Sequence, residues 1–161
     1  MSHRIDRRYL VSSLASRRVE LGVEDAPGTV GWASNLPKAY ALIIVVEEYS
    51  PTSGAEFTVG ALQDAHNVQD YLVRNGAHPD HICLLVNENA TCAGILDTFR
   101  SFLIKNPDVE QDALILVYFS GHTERLDFPS SQDPVLCLMP YDFTELEDSA
   151  ITEPTWNALL G

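Results

Sequence analysis

An α/β fold with a mainly parallel sheet is predicted by three features of this 161-residue chain. Apolar runs of strand length alternate with helical periodicities from about residue 38 onward. Seven consecutive apolar residues, Ala113-Leu114-Ile115-Leu116-Val117-Tyr118-Phe119, read as a strand covered on both faces. Ser120-Gly121 then lets the backbone turn before His122. Open α/β sheets hold their chemistry at the carboxyl ends of their strands, so His122 is placed like a catalytic residue.

Taken in order, residues 1–37 read as a basic N-terminal arm and linker. Arg4, Arg7, Arg8, Arg17 and Arg18 bracket Tyr9-Leu10-Val11. A short amphipathic helix and a disordered basic arm both fit, and the arm is preferred because Glu24-Asp25-Ala26-Pro27-Gly28 follows as a polar, turn-rich linker. No apolar run has the length of a signal-peptide core or of a membrane span.

Tyr40–Val46 is the first buried strand, and a loop follows from Glu47 to about Glu56. Val59, Leu62, Ala65, Val68 and Leu72 then recur at three and four, which predicts a helix ending near Asn75-Gly76. Ile82–Val86 is a second strand. Asn89 or Thr91 caps a helix whose buried stripe is Ile95, Leu96, Phe99, Phe102 and Leu103, and Asn106-Pro107 stops it. The third strand is the one ending at His122. A polar loop is expected over Thr123–Asp133, then a strand from Val135 closed by Pro140. Thr152 caps a short helix through Pro154, Trp156, Leu159 and Leu160. Residues 38–161 thus read as one domain. Gly161 falls where a helix normally hands over to another strand, so the domain is expected to be truncated at its carboxyl end and to lack later strands.

A hydrophobic content of 45% suits one globular core. Three cysteines, Cys83, Cys92 and Cys137, make no paired spacing, which argues against a secreted disulfide framework and for a reducing, cytoplasmic setting. The formal charge of -13 is uneven: residues 1–38 hold six Lys/Arg against four acids, and residues 39–161 hold four against nineteen. Such a surface repels phosphate backbones, so nucleic acid is not an expected partner, whereas basic peptides or cations are attracted. Simple solubility accounts for the same charge.

The commoner uses of the architecture are excluded by its loops. Glu47-Glu48-Tyr49 follows the first strand in place of a glycine-rich turn, so dinucleotide and P-loop phosphate binding lack their backbone cradle. A phospho-accepting receiver would want a carboxylate where Ser120 and His122 stand. His78, His81 and Cys83, with Cys92 nearby, do not make a zinc motif, because such motifs pair their ligands more tightly. No metal site is assigned.

The order ALIIVVEEYS, VGALQDAHNVQDYLV, HICLLVNENAT, ALILVYFSGHT and VLCLMPYDF resembles the large-subunit region of the caspase and metacaspase superfamily, particularly its fungal members. The resemblance covers roughly residues 38–161. It rests most on the strand-Ser-Gly-His step and on the Leu-Met-Pro-Tyr-Asp strand end. It implies a caspase-like three-layer α/β/α fold and cysteine-type endopeptidase chemistry, of the kind linked to programmed cell death. There a thiolate attacks the peptide carbonyl, a histidine protonates the leaving amine and backbone N–H groups hold the oxyanion.

Under this resemblance His122 matches the catalytic histidine. Asp64, in Gly60-Ala61-Leu62-Gln63-Asp64, matches an acid in the pocket for a basic side chain before the cleaved bond, and Ser120 matches a serine of the same pocket. A carboxylate pairs with arginine or lysine through charge-assisted hydrogen bonds, so Arg/Lys preference is implied. Each residue also has a plainer reading. His122 fits an ordinary loop residue, Asp64 an acid favoured by a helix dipole and Ser120 a local strand-end hydrogen bond.

Two departures stand out. Thr123 occupies the oxyanion-hole position where the family usually has glycine, and a β-branched residue has fewer backbone conformations. The caspase cysteine lies about 50 residues after the histidine, beyond Gly161, while Cys83, Cys92 and Cys137 read as core residues. The chain alone is therefore expected to be inactive. The alternative function is a non-catalytic caspase-fold binding or regulatory module. The partners implied are a polypeptide substrate or another caspase-fold protein, together with self-association through an exposed sheet edge. No cofactor is implied for this chain. Calcium, which activates many metacaspases, belongs in that family mostly to acids downstream of this region.

Overall fold

The structure, a computed structural model, describes residues 9–13, 38–110, 113–129, 131–144 and 146–160. Its centre is a four-stranded, wholly parallel sheet in the order β1-β4-β2-β3. The strands are β1 (Tyr9–Ser13), β2 (Tyr40–Val45), β3 (Ile82–Val86) and β4 (Ile115–Ser120). Every residue of β2 is buried, as its unbroken apolar run requires of a strand covered on both faces.

The period of two along β2 divides the core. Tyr40, Leu42, Ile44 and Val46 face a helical layer containing Ile95, Phe99, Leu103 and Trp156. Ala41, Ile43 and Val45 face the opposite layer, containing Ala61, Ala65 and Leu72. The first layer is made by α2 (Cys92–Thr98) and α3 (Glu153–Leu160), the second by α1 (Ala61–Arg74). The fold is thus a three-layer α/β/α arrangement, as the resemblance implies.

Local chemistry sets the helix ends. Gly60 precedes α1 at φ 84°, in the left-handed region that glycine enters without a Cβ penalty. Thr91 Oγ1 accepts the Gly94 N–H at 3.0 Å, so the threonine, and not Asn89, caps α2. The helix then widens into a π turn over Phe99–Ile104, closed by the Lys105 N–H on the Arg100 carbonyl at 2.8 Å. Thr152 Oγ1 caps α3 by accepting the Thr155 N–H at 3.2 Å. Trp156 packs edge-on against Phe99, with ring centroids 5.3 Å apart.

Three features differ from the sequence expectation. Tyr9–Ser13, read within a helical or disordered arm, pairs in parallel with β4, from Tyr9 opposite Ile115 to Ser13 opposite Phe119. A tyrosine, leucine and valine in succession have strand propensity, and β4 offers them an edge. The expected loop after His122 opens instead with β5 (Thr123–Leu126). It pairs antiparallel with β6 (Val135–Leu138), which β7 (Ile151–Thr152) joins on its other side. The strand ending at Pro140 therefore belongs to a separate small sheet in the order β5-β6-β7. That sheet packs over its own cluster of Phe128, Cys137, Met139, Phe143 and Ala150.

No helix among the described residues is long and apolar enough to cross a membrane.

Candidate active site

His122 stands just beyond the carboxyl end of β4, at the junction between the two sheets. The Ser120 carbonyl accepts the Val46 N–H at 2.8 Å, which extends the β2–β4 ladder to its last residue. Gly121 is required next. A Cβ there would lie 2.9 Å from Phe119 Cζ and 3.0 Å from Tyr49 Oη. Phe119 is fully buried and cannot yield.

The backbone of His122 is held on both sides. Its N–H donates to Tyr49 Oη at 2.6 Å, and its carbonyl accepts the Met139 N–H at 3.0 Å. The Tyr49 ring stacks on the imidazole at 5.3 Å. His122 Nε2 lies 2.9 Å from the Glu56 carbonyl oxygen. A carbonyl only accepts, so this contact places the proton on Nε2 and leaves Nδ1 of the neutral ring as the proton acceptor. Burial pushes Tyr49 up to about 12, and the His122 N–H offsets only part of that rise. Tyr49 is therefore a neutral phenol, not a base.

Thr123 begins β5 opposite Leu138. Because the Met139 N–H bonds to the His122 carbonyl, Thr123 and Leu138 form a non-hydrogen-bonded pair of the ladder. The Thr123 N–H is consequently directed away from β6.

Ser120 and Asp64 lie on the α1 side of the sheet. Ser120 is buried at the end of β4, in alternation with Tyr118, whose phenol faces the α1 layer. Burial raises the Tyr118 pKa, the Ser120 hydroxyl lowers it in part, and the charge of Asp64 raises it further. Ser120 is thus beside the Tyr118 phenol, and Asp64 is near enough for its charge to act on it. The Ser120 hydroxyl approaches without completing a hydrogen bond, since Tyr118 Oη is buried with no partner. Asp64 itself is exposed in the first turn of α1, where its N–H reaches the Gly60 carbonyl at 3.0 Å.

Residues that sequence reasoning missed hold this arrangement in place. Glu47 Oε2 accepts the Leu62 N–H at 2.9 Å, placing a carboxylate on the amino end of α1. Asn87, at φ 46°, accepts the Glu47 and Glu48 N–H groups on Oδ1 at 3.0 and 3.1 Å. Asp142 Oδ1 accepts the Cys92 N–H at 2.8 Å, and the Tyr141 N–H bonds to the Ala90 carbonyl at 2.9 Å. Tyr141 and Asp142 close the Leu-Met-Pro-Tyr-Asp strand end that the sequence singled out without giving them a role, and the only sequence signal for Glu47 and Asn87 is a polar side chain at a strand end. Tyr49 gives less, being one aromatic in a polar loop.

The cysteines are not arranged as nucleophiles. Cys92 and Cys137 are buried and Cys83 is half-buried, with no disulfide among them. Burial pushes the Cys83 thiol up, and burial with the Asp142 and Asp148 charges pushes Cys92 up, the reverse of thiolate activation. Cys137 Sγ contacts the Val135 carbonyl within β6 at 3.3 Å. A cavity of about 320 Å³, lined by Tyr40, His78, Asp80, His81, Asn106 and Asp108, opens at the start of β2, away from His122. His81 there stacks on Tyr40 at 4.1 Å. No three His, Cys, Asp or Glu side chains among the described residues are grouped as metal ligands.

A parallel sheet between helical layers, with a tethered imidazole just past the end of β4, makes this an α/β/α domain with its candidate chemistry at the carboxyl ends of the strands. The chain belongs to the caspase domain family, whose model matches residues 38–159. A search of curated proteins gave no match.

Proposed function

We propose that this chain is the histidine-bearing part of a caspase-type cysteine endopeptidase that cleaves after arginine or lysine. The observation that carries this reading is the contact of His122 Nε2 with the Glu56 carbonyl, which leaves Nδ1 as the proton acceptor. Nδ1 takes the proton of a cysteine thiol, and the thiolate forms a C–S bond to the substrate carbonyl. The imidazolium then protonates the amine as the C–N bond breaks, and water hydrolyses the thioester. The outward-directed Thr123 N–H is suited to the oxyanion, although its side chain narrows the approach that glycine would leave open.

Substrate preference rests on Asp64, with Ser120 and the unpartnered Tyr118 hydroxyl lining the floor. A guanidinium or ammonium satisfies the exposed carboxylate and the buried acceptors together. Cys83, Cys92 and Cys137 are committed to packing, so the thiol is supplied from outside these core positions. A cytoplasmic setting suits such a thiol.

The second reading, a non-catalytic caspase-fold module, is favoured specifically by Thr123. Translating the source transcript beyond Gly161 and assaying the product on peptidyl-Arg and peptidyl-Lys amides separates the two. Hydrolysis that needs a cysteine about 50 residues after His122 and is lost in His122→Ala supports the peptidase. A stop codon, or another residue at that cysteine, supports the binding module.

A further inference from the structure

β5 starts at the residue after His122 and is the terminal strand of the small sheet β5-β6-β7. Within its ladder Glu124 and Cys137 form a hydrogen-bonded pair, and Thr123 and Arg125 form the non-hydrogen-bonded pairs on either side. The backbone N–H and C=O groups of Thr123 and Arg125 therefore point away from β6. Among the described residues no strand pairs with that outer edge. Glu124 and Arg125 are exposed along it, and Thr123 is half-buried.

We propose that the outer edge of β5 receives the polypeptide segment that follows the cleaved bond, as a parallel strand, and that Arg125 selects an acidic residue at the third position of that segment. The proposal rests on the peptidase reading above, because it takes the Thr123 N–H as the donor to the carbonyl under attack.

The register follows from that one contact. In a parallel ladder the N–H and C=O of one residue bond to the residues before and after its partner. A substrate carbonyl on the Thr123 N–H thus sets the first residue after the cleaved bond opposite Thr123. The second residue then donates its N–H to the Thr123 carbonyl and accepts the Arg125 N–H on its own carbonyl. The third lies opposite Arg125, about 10 Å along the strand from His122, with its side chain on the same face as the guanidinium. Direction agrees with this pairing. The segment leaving the cleaved bond starts at His122, which protonates its amine, and β5 starts there too.

Charge supplies the selectivity. Residues 39–161 hold nineteen acids against four Lys/Arg, and of those four Arg125 alone follows His122. Its Nη1 donates to the Pro134 carbonyl at 3.3 Å, which holds the fork against the β5–β6 connection and uses one of its five N–H donors. An acid opposite it gains a charge-assisted hydrogen bond, whereas a basic residue meets a like charge. Glu124 alternates to the other face, where Leu126 joins the cluster around Cys137. A four-residue edge carrying two charges is guarded against indiscriminate pairing, so a strand that docks there must answer Arg125.

The test titrates peptides into the full chain and follows the Thr123 and Arg125 amides by heteronuclear NMR. The reference peptide is acetyl-Ala-Ala-Arg-Ala-Ala-Asp-Ala-amide, compared with the same peptide carrying Lys in place of Asp. The expected result is binding about threefold to fivefold tighter for the Asp peptide, with the order reversed in Arg125→Glu. N-methylation of the second residue after the arginine, which removes the N–H meant for the Thr123 carbonyl, should weaken binding about tenfold. N-methylation of the third residue, whose N–H points away from β5, should change it by less than about twofold. The methylated peptides test the ladder on the unaltered protein, so the answer does not depend on how Arg125→Glu folds.

Equal binding of the Asp and Lys peptides, an Asp preference that survives Arg125→Glu, or equal effects of the two methylations would each overturn the proposal. Failure of the peptidase reading shows separately. The arginine of the peptide and Asp64 would then prove dispensable for binding, while the acid preference set by Arg125 and the contrast between the methylated peptides persisted.

Discussion

Tyr49 and His122 are joined twice: the phenolic oxygen accepts the histidine N–H at 2.6 Å, and the two rings stack at 5.3 Å. One loop residue after β2 thereby fixes both the backbone and the ring of the residue after β4. Tyr49→Phe keeps the stack and deletes the acceptor, leaving a partly buried N–H unpaired. The expected loss is about 1–3 kcal/mol in urea unfolding, with the fold retained by circular dichroism.

The same tyrosine gives an alkaline limit. Its pKa is raised from 10.0 to about 12, so the folded state holds a proton that the unfolded chain has released. The associated stability is fully present below pH 10 and is lost as pH rises towards 12, by up to about 3 kcal/mol. Denaturant midpoints measured across that range should fall in the wild type and fall less in Tyr49→Phe.

Gly121→Ala places a methyl against Phe119 Cζ and Tyr49 Oη at 2.9 and 3.0 Å. Phe119 is locked in the core, so Tyr49 must retreat and release the His122 N–H. Unfolding measurements should show a loss of about 1–3 kcal/mol, and hydrogen exchange should show faster exchange at His122.

Glu47→Ala removes the carboxylate that accepts the Leu62 N–H at the start of α1. A loss of about 0.5–2 kcal/mol is expected, as for other helix caps. Amide exchange should quicken at Leu62 while the β2–β3 ladder stays protected. Because Asp64 rides on that first turn, binding of arginine-containing ligands should weaken too.

Cys83 and Cys92, their thiols pushed up by burial, should resist iodoacetamide at pH 7 in the folded chain and react after unfolding. Rapid alkylation of either in native protein, followed by mass spectrometry, would contradict their structural role.

Much of this fold was legible in the sequence because its signals are local. The unbroken apolar runs of β2 and β4, the three-and-four spacing of α1 and the Thr91 and Thr152 caps each follow from a few consecutive residues. The elements not foreseen depend on distant partners. Tyr9–Ser13 becomes a strand only because β4, about a hundred residues later, offers an edge. Thr123–Leu126 looks polar and loop-like until β6 folds back beside it. In the candidate site, the position of His122 was readable from the strand that delivers it. Its tether to Glu56 was not, because the acceptor is a backbone carbonyl with no residue signature. Tyr118 read as one more core aromatic, and only its strand alternation puts its hydroxyl beside Ser120 and within reach of the Asp64 charge.

The central claim is that His122 Nδ1 is a base beside a pocket for a basic side chain, and affinity labelling tests it on this chain directly. A peptidyl-Arg chloromethyl ketone should form an N–C bond at His122 with loss of chloride, detected by mass spectrometry. Labelling should be at least tenfold faster than with the peptidyl-Leu analogue, and Asp64→Asn should erase most of that advantage. No adduct at His122, or equal rates for the arginine and leucine reagents, would contradict the account.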